Sequence, residues 1–434
     1  MCKELVYHAI CEDRPARLEC FLRQGGDPNM WIEDSARISA KSFLHVCCEK
    51  GRIRCVKVLL DYGAQADIMG SWGQTPLMLC MLIEYFDIAE LLINSNKSVI
   101  DQQDSSGNTP LHYAIGNDSV EGVKLLLKYK PDVSIFNIFG ITPIMKICSM
   151  KESQHMDEIV ELLVDAGAQI DEKDFKSKKT SLQRAAISAN VPTVQFLLNC
   201  GADPNTVDNS GRTPLSNIIW EHIRTHPGKR EIDPDVMTIM HMLVIAGSSL
   251  DGTRYENSSP LILAINFKCT SLVNYLLVHG ARVEGDFFGG ISPLLHVIKK
   301  KDIDSLKVML NWSCDLYRKA RVFKFNHYDM EYDSFELAIH EGCPEMALLL
   351  VQAGYNVSKI RYLSDYSAEL PNCLKDRPDI LEQLRQFVQE PRSLFDSAVL
   401  CIRHTLDSNI IHKADELPLP KLLIEDIKLR SVLD

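Results

Sequence analysis

The sequence predicts an all-α fold, a solenoid of helix–turn–helix repeats with β-hairpin fingers, followed by a small helical module. Three observations predict it. Thr-Pro-Leu or a close variant begins at Thr75, Thr109, Thr142 and Thr213, with weaker copies at Ser42, Thr180, Ser259, Ser292 and Asp333. Successive steps are 33, 34, 33, 38, 33, 46, 33 and 41 residues, a period that marks stacked supersecondary units. Most copies precede a second apolar helix, as in VKVLLDYGAQAD, VKLLLKYKPDVS and VQFLLNCGADPN. A degenerate copy around Val6–Ala9 brings the number to about ten.

Each position of the repeat has a physical reason. Thr or Ser suits a helix N-cap, and Pro at the first helical turn lacks an N–H that would be unpaired anyway. Leu at the third position points inward, and a small residue at the sixth (Cys80, Ala114, Ala185, Ala264, Ala338) lets neighbouring helices approach. Gly63, Gly167, Gly201, Gly247, Gly280 and Gly354 follow the second helix, where a C′ glycine takes positive φ. Gly73, Gly107, Gly140, Gly211 and Gly290 suit the turn of a protruding hairpin. Lys130, Lys178 and Ser313 stand where glycine is expected, and Ser181 replaces a Pro.

Composition excludes other classes. Of the 434 residues 46% are hydrophobic and 24% charged, which is ordinary for a folded protein and unlike a disordered one. The net charge of −11 argues against general nucleic-acid or anionic-membrane binding. No apolar run reaches the ~18 residues of a spanning helix, and the N-terminal stretch lacks a signal core, so a soluble protein of the cytoplasm, with the nucleus as the other site, is expected. The fourteen cysteines include no CxxC pair and read as reduced core filler. No GxxxxGK[ST], GxSxG or HExxH motif is present, so no catalytic residue, metal or cofactor is assigned. His222 and His226 are four apart, but they lie in an apparent insertion and are expected in a solvated loop.

These residues resemble the ankyrin repeat, over residues 1–357. The resemblance implies that His45 and His112, at the fourth motif position, bond across adjacent loops. A stack of such repeats offers an extended surface of hairpin tips and first helices. The variable contact positions of the family fall here on Trp72, Phe139, Ile141, Lys179, Arg212, Trp220 and Phe267. Aromatic and Arg residues are typical hot spots of binding. Lys173, Lys176, Lys178 and Lys179 form a local basic cluster that, with Arg212, could receive an acidic or phosphorylated segment; a solvated loop is the other reading. Insertions follow Cys148, Trp220 and Tyr317, and the last interleaves basic with aromatic residues in a way that suits a protein partner better than nucleic acid.

After residue 357 the repeat stops. Residues 358–390 read as a capping or linker segment, with an amphipathic helix over Asp379–Val388 that could cap the last repeat. In residues 391–434, Leu394, Ala398 and Ile402 fall at i, i+4 and i+8, and Leu406 continues the stripe. The order Pro391-Arg392-Ser393-Leu394, Ile402-Arg403, then Leu417-Pro418-Leu419-Pro420 resembles a SOCS box, so the whole chain is similar to the ankyrin repeat and SOCS box family. That resemblance implies elongin B and elongin C as partners, with Leu394, Ala398, Ile402 and Leu406 on the elongin-facing helix. It implies a cullin, type 5, with its RING protein, read by Leu417, Pro418, Leu419, Pro420, Leu423 and Ile427. Ala398 stands where the family has Cys, and Asp426 at a position usually aromatic. The expected function is substrate recognition in a cullin-RING E3 ubiquitin ligase leading to proteasomal degradation. The alternative is a non-catalytic scaffold or inhibitor that uses the tail only as a cap.

Overall fold

The structure is a computed structural model that describes residues 3–33, 40–150, 153–226, 232–251, 259–283, 291–312, 314–321 and 331–389. It divides into two compact units, Met1–Asn209 and Ser210–Asp434. Ten antiparallel helix pairs are present among the described residues, six in the first unit and four in the second. An ankyrin-repeat stack is therefore the fold of each unit.

In the first unit the pattern of each repeat is set by its cap. Thr75 and Thr180 accept the N–H groups of Met78 and Gln183 on their side chains, and Pro76 and Pro110 begin the helices Pro76–Ile83 and Pro110–Gly116. The helix then turns Leu77, Met78, Cys80 and Met81 wholly inward. Complete burial of one such side chain stabilises the fold by about 1.5–3 kcal/mol. The small residues Cys80, Ala114 and Ala185 have no exposed surface, consistent with close helix–helix approach. Trp31–Glu33 pairs antiparallel with Ala40–Ser42, Trp31 opposite Ser42, and forms the first hairpin. Gly63, Gly167 and Gly201 adopt φ of 82°, 96° and 86° past their helices. Lys130 and Lys178 hold the same left-handed geometry at 55° and 56°, which costs a non-glycine residue about 1 kcal/mol each.

In the second unit, the insertion after Trp220 first lengthens a helix. Pro214–Thr225 runs for twelve residues, and His222 and Ile223 in its last turns are buried. His222 is thus a buried helical residue and not part of a solvated loop; His226 caps the helix and its ring lies 5.2 Å from that of His222. The reason is local: Glu-His-Ile-Arg has no helix breaker, and Ile223 gains burial by continuing the helix. The insertion after Tyr317 begins and ends as the strands Ala320–Arg321 and Glu331–Tyr332 of a hairpin whose tip lies outside the described residues. The last repeat, Ser334–His340 with Pro344–Gln352, is covered by the helix Pro378–Gln389, which buries Ile380, Leu381 and Leu384. Arg377 ties this helix down through Asp379 and Glu345.

Seven of the twelve cysteines in the described residues are buried among the core side chains, and all twelve are free thiols. Burial pushes the Cys148 thiol up to about 12, so it stays protonated and apolar.

Candidate partner-binding surfaces

The hairpins of the first unit are built alike. In three of them a short polar side chain opens the turn and accepts backbone N–H groups two or more residues on. Asp104 accepts from Ser106 at 2.9 Å and Asn108 at 2.7 Å. Asn137 accepts from Phe139 at 3.0 Å and Ile141 at 3.1 Å. Asp174 accepts from Ser177 at 2.5 Å and Lys179 at 3.1 Å. Gly70 takes this position in the hairpin of Trp72, because an added Cβ would sit 2.8 Å from the His45 ring.

Successive hairpins are then stitched tip to tip. The Ser105 N–H donates to the Trp72 carbonyl at 2.9 Å and the Ile138 N–H to that of Ser106 at 3.0 Å. The Asn209 N–H donates to the Ser177 carbonyl at 2.9 Å. Gly140 is needed for this closeness, since a Cβ there would lie 2.2 Å from the Phe175 nitrogen. The tips therefore form one ridge, joined by these backbone bonds and by the close approach at Gly140.

Two histidines lock hairpins to helices. His45 Nε2 lies 3.0 Å from the Gln74 carbonyl and His112 Nε2 3.0 Å from that of Ile141. Their Nδ1 atoms accept the Ser42 and Thr109 N–H groups at 3.3 and 3.2 Å. A carbonyl can only accept, so both rings are neutral with the proton on Nε2. Desolvation, outweighing the backbone bond, lowers His112 to about 4 and lowers His45 as well.

The residues expected at contact positions fall into three groups. Trp72 and Phe139 stand on the ridge, 75% and 53% exposed, and the structure adds Ile138 at 63% and Phe175 at 59%. Trp72 is held at φ 64°, a left-handed conformation for a bulky residue. Ile141 and Lys179 face inward instead. Ile141 is half-buried and lends its carbonyl to His112, while Lys179 Nζ is 3.6 Å from the buried Asp208 carboxylate. Lys173 donates to the Val207 carbonyl at 2.9 Å, so only Lys176 and Lys178 of the basic cluster stand exposed.

The third group lies in the second unit. The Arg212 guanidinium stacks 3.9 Å above the Trp220 ring, and Trp220 meets Phe267 edge to face at 5.8 Å. A cation–π contact of this kind contributes about 1 kcal/mol and fixes the rotamers before any partner arrives. Phe267 is 42% exposed and Lys268 follows it, exposed, at φ 55°.

Ile138 and Phe175 stand outside the family's contact positions, yet each carries a sequence signal: it directly follows the Asn or Asp that opens its turn. Leu394, Ala398, Ile402 and Leu406, expected to face elongin, lie outside the described residues. So do Leu417, Pro418, Leu419, Pro420, Leu423 and Ile427. Among the described residues no cluster of His, Cys, Asp or Glu could hold a metal ion, and no helix is long and apolar enough to cross a membrane.

A family model described as ankyrin repeats (3 copies) matches residues 6–104, 44–137 and 131–208. Ankyrin repeat and SOCS box protein 16 of Homo sapiens is 29% identical over 198 residues, 45% of this chain and 42% of that protein. Its counterpart from Mus musculus is 30% identical over 187 residues, 42% of this chain and 41% of that protein. The chain thus spans about two fifths of the length of the curated relatives it matches. Among solved structures, the ankyrin repeat domain of Bcl-3 is 26% identical, with a TM-score of 0.44, covering 51% of this chain and 93% of that one. From its repeats, its caps and the matching family model, the chain carries ankyrin repeats.

Proposed function

We propose that the chain is a substrate-recognition subunit of an elongin B/C–cullin-RING E3 ubiquitin ligase. The observation that carries this reading is the ordered tail motif, Pro391-Arg392-Ser393-Leu394, Ile402-Arg403 and Leu417-Pro418-Leu419-Pro420, set behind ankyrin repeats. Relatives named for an ankyrin repeat and a SOCS box support it. The repeats would hold the target protein. The tail would recruit elongins B and C and, through them and the LPLP segment, a cullin of type 5 with its RING protein. The chain would act by proximity, raising the concentration of target lysines near the charged E2.

The position of the cap also supports this reading over a scaffold with a capping tail. Pro378–Gln389 already covers the last repeat, so the stripe at Leu394, Ala398 and Ile402 is not needed for that purpose. An apolar stripe left over after capping suits a helix-in-groove partner.

Co-expression with elongins B and C is the test. The wild-type chain is expected to co-purify with both in stoichiometric amounts. Leu394→Arg should weaken capture by at least about 100-fold, since it drives an unpaired charge into an apolar groove. The melting temperature of the repeats should stay where it is. Ala398→Cys should tighten capture a few-fold to about tenfold by restoring buried apolar volume. Failure of the wild-type chain to hold the elongins would end this reading. A Leu394→Arg chain with a lowered melting temperature would favour the scaffold with a capping tail.

A further inference from the structure

The ridge of the first unit is unusual in what it leaves exposed. Its tips present Trp72, Ile138, Phe139 and Phe175 to solvent, and its far hairpin ends in the exposed Lys176 and Lys178. Exposed contiguous apolar groups on a soluble protein mark interaction sites, and Trp and Phe are the side chains that anchor them. Backbone bonds tie the Trp72 tip to Ser105 and Ser106 to Ile138, and Phe175 packs against Gly140 and on the Phe136 ring at 4.4 Å, so little ordering cost remains for a partner to meet.

Charge gives the ridge a direction. Lys173 and Lys179 are occupied by Val207 and Asp208, and Asp174 is buried under its own hairpin. Asp171, lower in the same segment, accepts the Asp203 N–H at 3.2 Å. Lys176 and Lys178 make no ion pair among the described residues, on a chain whose net charge is −11. The Trp72 end of the ridge is therefore apolar, while at the Phe175 end the turn itself carries the exposed Lys176 and Lys178 and the carboxylates Asp171 and Glu172 precede it.

We propose that this ridge docks an extended acidic segment of a partner protein. Large apolar side chains of the segment would lie at Trp72 and Phe139, and its carboxylates at Lys176 and Lys178. The proposal rests on the reading that the repeats hold a target, and it adds the class of target segment. Among the described residues, Lys176 and Lys178 are the two exposed lysines at these tips, too few to hold a nucleic-acid backbone against an acidic chain.

The test is selection of a random peptide library, about twelve residues long, on the full chain. Such peptides run along several hairpins at roughly 3.3 Å per residue. Enriched sequences should combine aromatic or aliphatic residues with Asp and Glu, and their binding should weaken with salt. Trp72→Ser with Phe139→Ser should lower their affinity by about 30-fold or more. Lys176→Glu with Lys178→Glu should lower it by about tenfold at low salt and turn the selection toward basic peptides. Binding should also shift the emission of Trp72 to the blue, a change that Trp72→Ser removes.

Enrichment without acidic bias, or affinity unchanged in both double variants, would overturn the proposal. Two other occupants would overturn it too. One is self-association of the chain, abolished by the Trp72→Ser, Phe139→Ser variant. The other is pelleting with phosphatidylcholine–phosphatidylserine vesicles, abolished by the same variant. The Leu394→Arg chain should select the same peptides. Peptide selection and elongin capture therefore fail independently, and each failure strikes only its own reading.

Discussion

Asp174→Ala is expected to destabilise the first unit by about 3–5 kcal/mol, the range seen when one partner of a buried ion pair is removed. The carboxylate is completely buried and holds four donors. They are the Ser177 N–H at 2.5 Å, the Ser177 hydroxyl at 2.7 Å, the Lys179 N–H at 3.1 Å and Arg184 Nη2 at 2.9 Å. Desolvation pushes this carboxyl up, but the Ser177 and Arg184 interactions outweigh it and hold it below the usual range. Alanine would leave those donors in place with nothing to accept them. The neighbouring hairpin supplies a control, because Asn137 performs the same turn duty without charge. Asp174→Asn should therefore cost less, about 1–3 kcal/mol: one amide oxygen can still accept the turn N–H groups, as Asn137 does, while the amide N–H2 loses the Arg184 ion pair and needs the Ser177 hydroxyl to turn into an acceptor. Denaturant unfolding followed with hydrogen exchange at residues 174–184 checks both. Equal costs for Ala and Asn would show that the charge, not the turn, is what matters. The alanine variant should also lose the acidic peptides selected on the ridge, since its hairpin carries Phe175, Lys176 and Lys178.

The repeats were legible because each position is constrained by a local rule. A cap residue, a proline at the first turn, a small sixth residue and a positive-φ glycine can all be read within a few residues of one another. Trp72 and Phe139 were legible for the same reason, since the tip of a hairpin is a position in the repeat. What escaped depended on partners one repeat away. Lys173 and Lys179 looked available from sequence, but their partners Val207 and Asp208 lie about 30 residues on, and only stacking brings them together. Ile138 and Phe175 stand outside the family's contact positions, and it is the stacking of the tips that leaves them facing out. His222 was placed in a loop by a break in the period, whereas helix propagation ignores the period and follows burial. The platform of Arg212, Trp220 and Phe267 sits between these cases. Each residue was visible by position, and their mutual stacking was not.

His112→Gln should make the first unit more resistant to acid while changing little at neutral pH. The ring accepts the Thr109 N–H on Nδ1 and donates from Nε2 to the Ile141 carbonyl, a neutral arrangement that protonation would break. Its folded pKa is about 4, against an ordinary value of 6.5. Between these values the unfolded chain binds the proton and the folded chain does not, so stability falls as pH falls from about 6.5 toward 4. The loss from this residue reaches about 3 kcal/mol at pH 4. Glutamine can keep both bonds, and the chain itself supplies the precedent. Gln183 at the equivalent position accepts the Thr180 N–H at 2.9 Å and donates to the Thr206 carbonyl at 3.1 Å. The Gln variant should thus match wild type within about 1 kcal/mol at pH 7 and exceed it by about 2–3 kcal/mol at pH 4.5. His112→Ala, which satisfies neither group, should cost about 2–3 kcal/mol at pH 7. Urea unfolding of the three chains at pH 7, 5.5 and 4.5 measures this directly. Parallel pH curves for wild type and His112→Gln would mean that the ring is protonated in the folded chain without penalty. The neutral Nε2–H arrangement between hairpin and helix would then be wrong.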